Sequence, residues 1–262
     1  MAVKIGGKFS GGAARRREAG GVFGDWRGEA KRFGSRAMLP LWDTHPHKRA
    51  PVVTVLLILA NLGVFGYEVA LRLQGGTAMD AWVTTHALVP ERLIAGWAEP
   101  EQWLTLLTHQ FLHGGVMHVV GNCWFLWIFG NNVEDKLGSF LYLFFYLVCG
   151  VAAAMLQLVV EPSSAVPMVG ASGAISGVLG AYFILLPTAW IVTLVPWVVP
   201  ILPVPAFVFL ILWFALQTVN GFGVLMGGTT GEGVAWWAHA GGFAAGACLT
   251  LWAKSNRWVR RG

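Results

Sequence analysis

The stretch Gly170-Ala171-Ser172-Gly173-Ala174-Ile175-Ser176-Gly177-Val178-Leu179-Gly180 sets a serine between small residues where an apolar segment begins. Two readings fit it. Gly173 and Gly177, Ser172 and Ser176, and Ser176 and Gly180 each stand four apart, the small-xxx-small spacing that lets two membrane helices approach closely. In that reading Ser172 is packing. In the other it is chemistry, and what favours this lies elsewhere in the chain: His113, His118 and Asn122 in one apolar segment and His239 in another.

The composition puts these groups in a membrane. The chain has 262 residues, of which 56% are hydrophobic and only 12% charged, a balance that does not describe a soluble surface. The net charge of +5 does not imply nucleic acid, because the basic residues sit almost wholly in the two tails, outside the apolar runs. That placement reads as orientation. Cys123, Cys149 and Cys248 all fall inside apolar runs with no CxxC and no zinc-finger spacing, so neither disulfides, a metal nor another cofactor is expected.

Residues 1–50 carry many Lys and Arg and no apolar core long enough for a signal peptide. They read as a disordered, Gly-rich cytosolic arm, with a mitochondrial transit peptide as the rival reading, opposed by Glu18, Asp25 and Glu29. A first span runs from Pro51 to about Leu71, long enough for a bilayer core of roughly 30 Å. Arg72 to Gln102, with Trp82, Trp97 and Trp103, has the composition of a loop in the headgroup zone with short helices of its own. The second span runs from near Gly115 to around Asn131, and the third from about Ser139 to Val159. The fourth begins near Ser172 and stops at Pro187, so at about 15 residues it is only about 22 Å long.

Pro196, Pro200, Pro203 and Pro205 make Thr188 to Pro205 a broken connection, with a fifth span from there to about Val219. Asn220 to Gly233 is glycine-dense and reads as a mobile loop, and the sixth span runs from about Val234 to Ala253, followed by a basic tail over residues 254–262. The fold class expected is an all-α polytopic membrane protein with six transmembrane helices, residues 51–253, and a short fourth helix carrying Ser172. Six spans put both basic tails on one side, which the positive-inside rule makes cytoplasmic. Ser172 then lies roughly 10 Å below the outer surface, and His239, about six residues into the sixth span from the same side, about 9 Å deep.

Ionisable groups within spans are costly and usually face a partner or a wet cavity. Ala238, Gly242 and Gly246 form a second small-residue stripe beside His239, suited to the stripe of the fourth span. Two such faces brought together set serine against histidine. A serine hydroxyl needs an adjacent base and its oxyanion needs preorganised donors. His239 can be the base. His118 and Asn122, four apart on one helix face, and the backbone N–H of Ser172 at a helix start are possible donors. With no Asp or Glu near this depth, the inference is a dyad, while Glu134 belongs at the opposite end of its span as a helix-end or loop anchor.

The pieces His113-x4-His118-x3-Asn122, Gly170-Ala171-Ser172-Gly173 and Ala238-His239-x-x-Gly242-x-x-x-Gly246 resemble the rhomboid family of intramembrane serine proteases, from about Pro51 to Ala253. The resemblance implies a rhomboid-like fold that hydrolyses peptide bonds of single-pass transmembrane protein substrates in or beside the lipid bilayer. Ser172 would be the nucleophile, His239 the general base and then acid, His118 and Asn122 oxyanion donors, and His113 a structural or water-organising neighbour. The loop Asn220–Gly233 would cap the site, with Phe222, Leu225 or Met226 as its apolar plug, and substrate would enter past the fifth span. Two features depart from the pattern: Ser176 stands where some members have an aromatic ring against the histidine, and Trp103-Leu104 replaces a Trp-Arg pair.

Two rival classes are a non-catalytic rhomboid-like protein that binds transmembrane clients, and a transporter, which would call for paired half-helices in two repeated halves that this chain does not have. The sequence sets no oligomeric state. It favours a bacterial plasma membrane over an organelle through the lack of a convincing transit peptide.

Overall fold

A computed structural model describes residues 38–195, 199–225 and 235–260. A short strand, β1 (Leu39–Asp43), leads into the apolar helix α1 (Val52–Gln74). Three short helices follow in the interval with headgroup-zone composition: α2 (Gly76–His86), α3 (Pro90–Ala95) and α4 (Pro100–Thr108). Proline opens the last two, where its missing N–H costs nothing. The chain then bends by 80° and enters α5 (Val116–Leu137), which contains one wide, π-type turn at Leu126–Gly130. The remainder is α6 (Ser139–Val160), α7 (Ser172–Leu185), β2 (Trp190–Val195), β3 (Val199–Pro205), α8 (Ala206–Leu225) and α9 (Trp236–Ser255).

Among the described residues three helices, α1, α6 and the Ala206–Gly223 part of α8, are long and apolar enough to cross a membrane, or four elements if the bent pair ending in α5 counts as one span. With 14 residues, α7 is too short for that measure.

The centre of the molecule is the contact of α7 with α9, backed by α6. A methyl group built on Gly242 would strike the backbone carbonyl of Gly173, one on Gly246 that of Gly177, and one on Gly180 that of Phe243. The helices meet backbone to backbone, and only glycine permits that approach. Cys149 of α6 closes on Gly177 with its side chain, at 2.6 Å from its Sγ to the built methyl carbon. Around this seam lie Tyr142, Tyr146, Val178, Leu179 and Tyr182, none with measurable exposure.

The other end of the core is organised by one carboxylate. Glu134, 2% exposed, accepts hydrogen bonds from the backbone N–H of Val53 (2.9 Å) and Thr54 (2.8 Å), from the Thr54 hydroxyl (2.8 Å) and from Ser139 Oγ (2.6 Å). It thus caps the first turn of α1, whose amides have no partner within the helix, with a favourably placed negative charge. This also explains why helix α5 runs six residues beyond the expected end at Asn131: Glu134 in its last turns is held inside by partners.

Several expectations are corrected. The fold is not all-α, because β1, β2 and β3 form an antiparallel sheet in that order. Leu39–Asp43, assigned to the irregular arm, pair with β2 through Leu39–Leu194 and Asp43–Ile191, and the Trp124 indole donates to the Pro40 carbonyl at 2.7 Å. The supposed broken connection before α8 is the hairpin of β2 and β3. Its prolines are tolerated because β3 is an edge strand, where a missing N–H need not break the ladder, and β-branched Ile191, Val192 and Thr193 fill the buried middle strand. Asn220–Leu225, expected to be loop, continues α8. Gly221 there lies against the Trp237 ring, so packing on α9 overrides a weak local helix preference. The rest of that interval, with Met226, lies outside the described residues, as does most of the arm.

Asp43 ties the sheet to the core. Its Oδ2 accepts the Tyr182 hydroxyl and the Asn132 amide, each at 2.6 Å. Burial raises its carboxyl above the usual range, with the bond from Tyr182 opposing.

Two outcomes are expected in thermal unfolding of the purified protein. Gly246→Val, which drives a side chain into the Gly177 backbone, should destabilise by at least the roughly 1–3 kcal/mol typical of overpacking. Tyr182→Phe should cost about 1.5–3 kcal/mol, the usual worth of a hydrogen bond to a charged group, and unchanged melting would show that this bond does not hold the sheet to the core.

Candidate active site

The turn Gly170-Ala171-Ser172 enters α7 from a chain held on both sides. The backbones of Met168 and Leu88 exchange two hydrogen bonds (2.7 and 3.3 Å), and the Gly170 N–H donates to the His109 carbonyl at 2.9 Å. Gly170 has φ +126°, a conformation that favours glycine. A side chain there would also collide with the His118 ring, whose Cε1 and Nε2 lie 2.7 Å from a built methyl carbon. The turn therefore needs glycine twice over. It leaves Ser172 at the first helical position, where its backbone N–H has no acceptor in the helix.

Across the seam α9 presents His239. Its Nε2 lies 2.8 Å from Ser172 Oγ, the distance of a hydroxyl-to-imidazole hydrogen bond. The other ring nitrogen, Nδ1, is 2.8 Å from Oε1 of Gln217 on α8. The Trp213 and Trp236 rings stand 6.1 and 6.2 Å from the imidazole. Ser172 and His239 are both half-buried.

Three further groups face the turn. Gly114 N–H donates to His118 Nδ1 at 3.4 Å, which puts the remaining ring proton on Nε2, beside Gly170. Asn122 Nδ2 approaches the same glycine, 3.6 Å from its built methyl carbon, and is 3.0 Å from His113 Nε2. His113 Nδ1 in turn meets the Phe111 carbonyl at 3.1 Å. A consistent proton assignment follows: His113 donates from Nδ1 and accepts the Asn122 amide at Nε2, so one Asn122 N–H is spent on orientation and the second remains. The Glu68 carboxylate of α1 accepts the His113 backbone N–H at 3.2 Å and steadies this corner.

All five residues singled out from the sequence therefore lie in one region: Ser172 against His239, with His118 and Asn122 beside the preceding glycine and His113 behind Asn122. Ser176 is not near the imidazole through its hydroxyl. It donates to the Ser172 carbonyl at 2.6 Å, and it is small because Gly242 passes over it. Where the family resemblance suggested a Trp-Arg pair, Arg92 ties down the loop instead, donating to Gln102 Oε1 (3.1 Å) and to the Ala87 carbonyl (2.7 Å). The sequence reading missed Gln217. Its only signal was an amide in an otherwise apolar span, which by itself says nothing about its partner.

This arrangement can pass a proton from a serine hydroxyl to an imidazole and offers N–H donors on the near side of the serine turn. Among the described residues no group of three or more metal-binding side chains is present.

Comparison with known proteins agrees with the geometry. The Rhomboid domain model matches residues 100–256. The chain is 34% identical over 131 residues to the Rhomboid protease GluP of Bacillus subtilis, covering 50% of this chain and 24% of that one. It is 30% identical over 214 residues to the chloroplastic Rhomboid-like protein 11 of Arabidopsis thaliana, 80% of this chain and 68% of the relative. With Rhomboid-related protein 2 of Mus musculus the identity is 27% over 135 residues, 51% of this chain and 42% of the relative. The match thus spans only about a quarter of the Bacillus protein and two thirds of the Arabidopsis one. The domain match and these relatives place this chain in the rhomboid family of membrane proteins.

Proposed function

We propose that this protein is an intramembrane serine endopeptidase that cleaves single-pass transmembrane proteins. The observation that carries the proposal is the 2.8 Å contact between Ser172 Oγ and His239 Nε2, made by residues 67 apart in sequence. Similarity to a named rhomboid protease supports it.

In this reading Ser172 Oγ attacks the scissile carbonyl carbon while His239 Nε2 takes its proton, and the carbonyl oxygen becomes an oxyanion. His118 Nε2–H, the free Asn122 N–H and the Ser172 amide stabilise that charge in surroundings of low polarity, where fixed donors are worth most. His239 then returns the proton to the leaving amine as the C–N bond breaks, giving an acyl-enzyme on Ser172. Water repeats the sequence with His239 as base and releases the carboxylate product. His113 holds Asn122 and does not touch substrate.

The membrane topology belongs to the same proposal. Six spans, α1, α5, α6, α7, α8 and α9, set a membrane domain over 51–253 with both termini cytoplasmic, in a bacterial plasma membrane. At 14 residues, α7 is about 21 Å long at 1.5 Å per residue, which leaves Ser172 below the outer surface. Phe222, exposed on α8 with its ring 4.9 Å from Trp237, would border the entry.

Cleavage of a single-pass substrate by the purified protein tests the reading. Ser172→Ala and His239→Ala should each abolish it while leaving thermal unfolding near wild type, and wild type alone should be labelled by a serine-reactive fluorophosphonate. Normal cleavage by either mutant would refute the dyad. Asn122→Ala should lower kcat by about 10²-fold, the usual cost of one oxyanion donor of about 3 kcal/mol, with KM little changed. Gly170→Ala should lose activity as well, through the displaced His118 ring.

A further inference from the structure

Within the hydrolase reading, on which this step rests, we infer that Gln217 is the positioning residue of the dyad: it fixes the protonated nitrogen of His239 and so completes a Ser-His-Gln triad across three helices. A neutral imidazole has one donor and one acceptor nitrogen, and only the tautomer with its proton on Nδ1 leaves Nε2 able to accept the Ser172 hydroxyl. Gln217 Oε1, an acceptor, lies 2.8 Å from Nδ1, and the Nδ1 proton goes to it. Nε2 is thereby left with its lone pair toward Ser172 Oγ, also at 2.8 Å.

Among the described residues no carboxylate hydrogen-bonds His239. The groups facing it are Ser172 on α7, Gln217 and Trp213 on α8, Trp236 on its own helix and, beyond the serine turn, His118 on α5. Among the described residues, Gln217 is thus the group placed to select the tautomer. Its amide also explains how the ring is held when position 176 is a serine turned away to the Ser172 carbonyl. Because Gln217 stands on α8 while serine and histidine stand on α7 and α9, the imidazole is correctly set only while α8 is seated against α9.

Two measurements on the full-length protein test this. In nitrogen-15 spectra of histidine-labelled protein, with the His239 signals assigned by their loss in His239→Asn, wild type should show a protonated Nδ1 and an unprotonated Nε2. Gln217→Leu should show a mixture of tautomers, and Gln217→Glu, an obligate acceptor at the same reach, should restore the wild-type form. In substrate cleavage, Gln217→Leu should lower kcat on the order of 10- to 100-fold at nearly constant KM, less than the loss of about 10⁴ when a buried triad is forced into the wrong tautomer, and Gln217→Glu should recover most of it. A wild-type spectrum with the proton on Nε2, or a Gln217→Leu protein with unchanged tautomer and kcat, would overturn the inference. If wild type neither cleaves nor labels at Ser172, the hydrolase reading fails instead, while the spectrum still decides whether Gln217 sets the tautomer.

Discussion

Everything about the site depends on α7 and α9 touching through their backbones. Lipid tails are as apolar as leucine, so helices in a membrane gain little from hiding apolar side chains from it, and close packing supplies the attraction instead. Here Gly173 and Gly177 face Gly242 and Gly246 with no room for a methyl group on the latter two. Such contact fixes the axial register of the helices as well as their separation, since each glycine accommodates a particular carbonyl of the other chain. Ser172 and His239 inherit their 2.8 Å spacing from that register. The small-residue stripe and the reactive pair, which the sequence offers as competing explanations of one motif, are parts of one device.

A second constraint is that an unmet donor or acceptor among apolar groups costs kilocalories, and around the serine turn the polar groups are paired. The chain uses this cost to assign protons. Phe111, His113 and Asn122 form a line in which each member's donor meets the next one's acceptor, and the Gly114 amide decides which nitrogen of His118 keeps its hydrogen. Donors that remain after this accounting point to the Gly170–Ser172 turn. The same accounting at the far end of the core gives the buried Glu134 carboxylate its donors, from the first turn of α1 and from Ser139.

The short helix α7 is therefore held at both ends by different means. At the serine end the chain before it is hydrogen-bonded to the Leu88 and His109 backbones, so residues of the long first connection help position the turn. At the other end Tyr182 reaches Asp43 and through it the small sheet. A helix of 14 residues has few side chains with which to anchor itself, and these fixed ends supply what its length does not.

Much was legible in the sequence because it is written in local or periodic terms. Apolar run lengths set out α1, α6 and α7 to within a few residues, small residues at intervals of four marked the seam, and His118 and Asn122 at that interval had to share a face. Ser172, His239, His118 and Asn122 were recognisable as reactive residue types in an apolar setting, although their pairing was inferred from depth. What the sequence did not carry is contact between segments distant along the chain. Prolines in 199–205 read as breaks, since nothing local says that the strand is an edge. Leu39–Asp43 have a partner only once β2 exists. Asn220–Leu225 are helical because Gly221 meets Trp237, and Gln217 looked like one stray amide until α8 was laid against α9. Local pattern determined the helices and the residue types of the site. Tertiary structure alone decided which nitrogen of His239 faces the serine and what holds it there, because a tautomer is set by a neighbour in space.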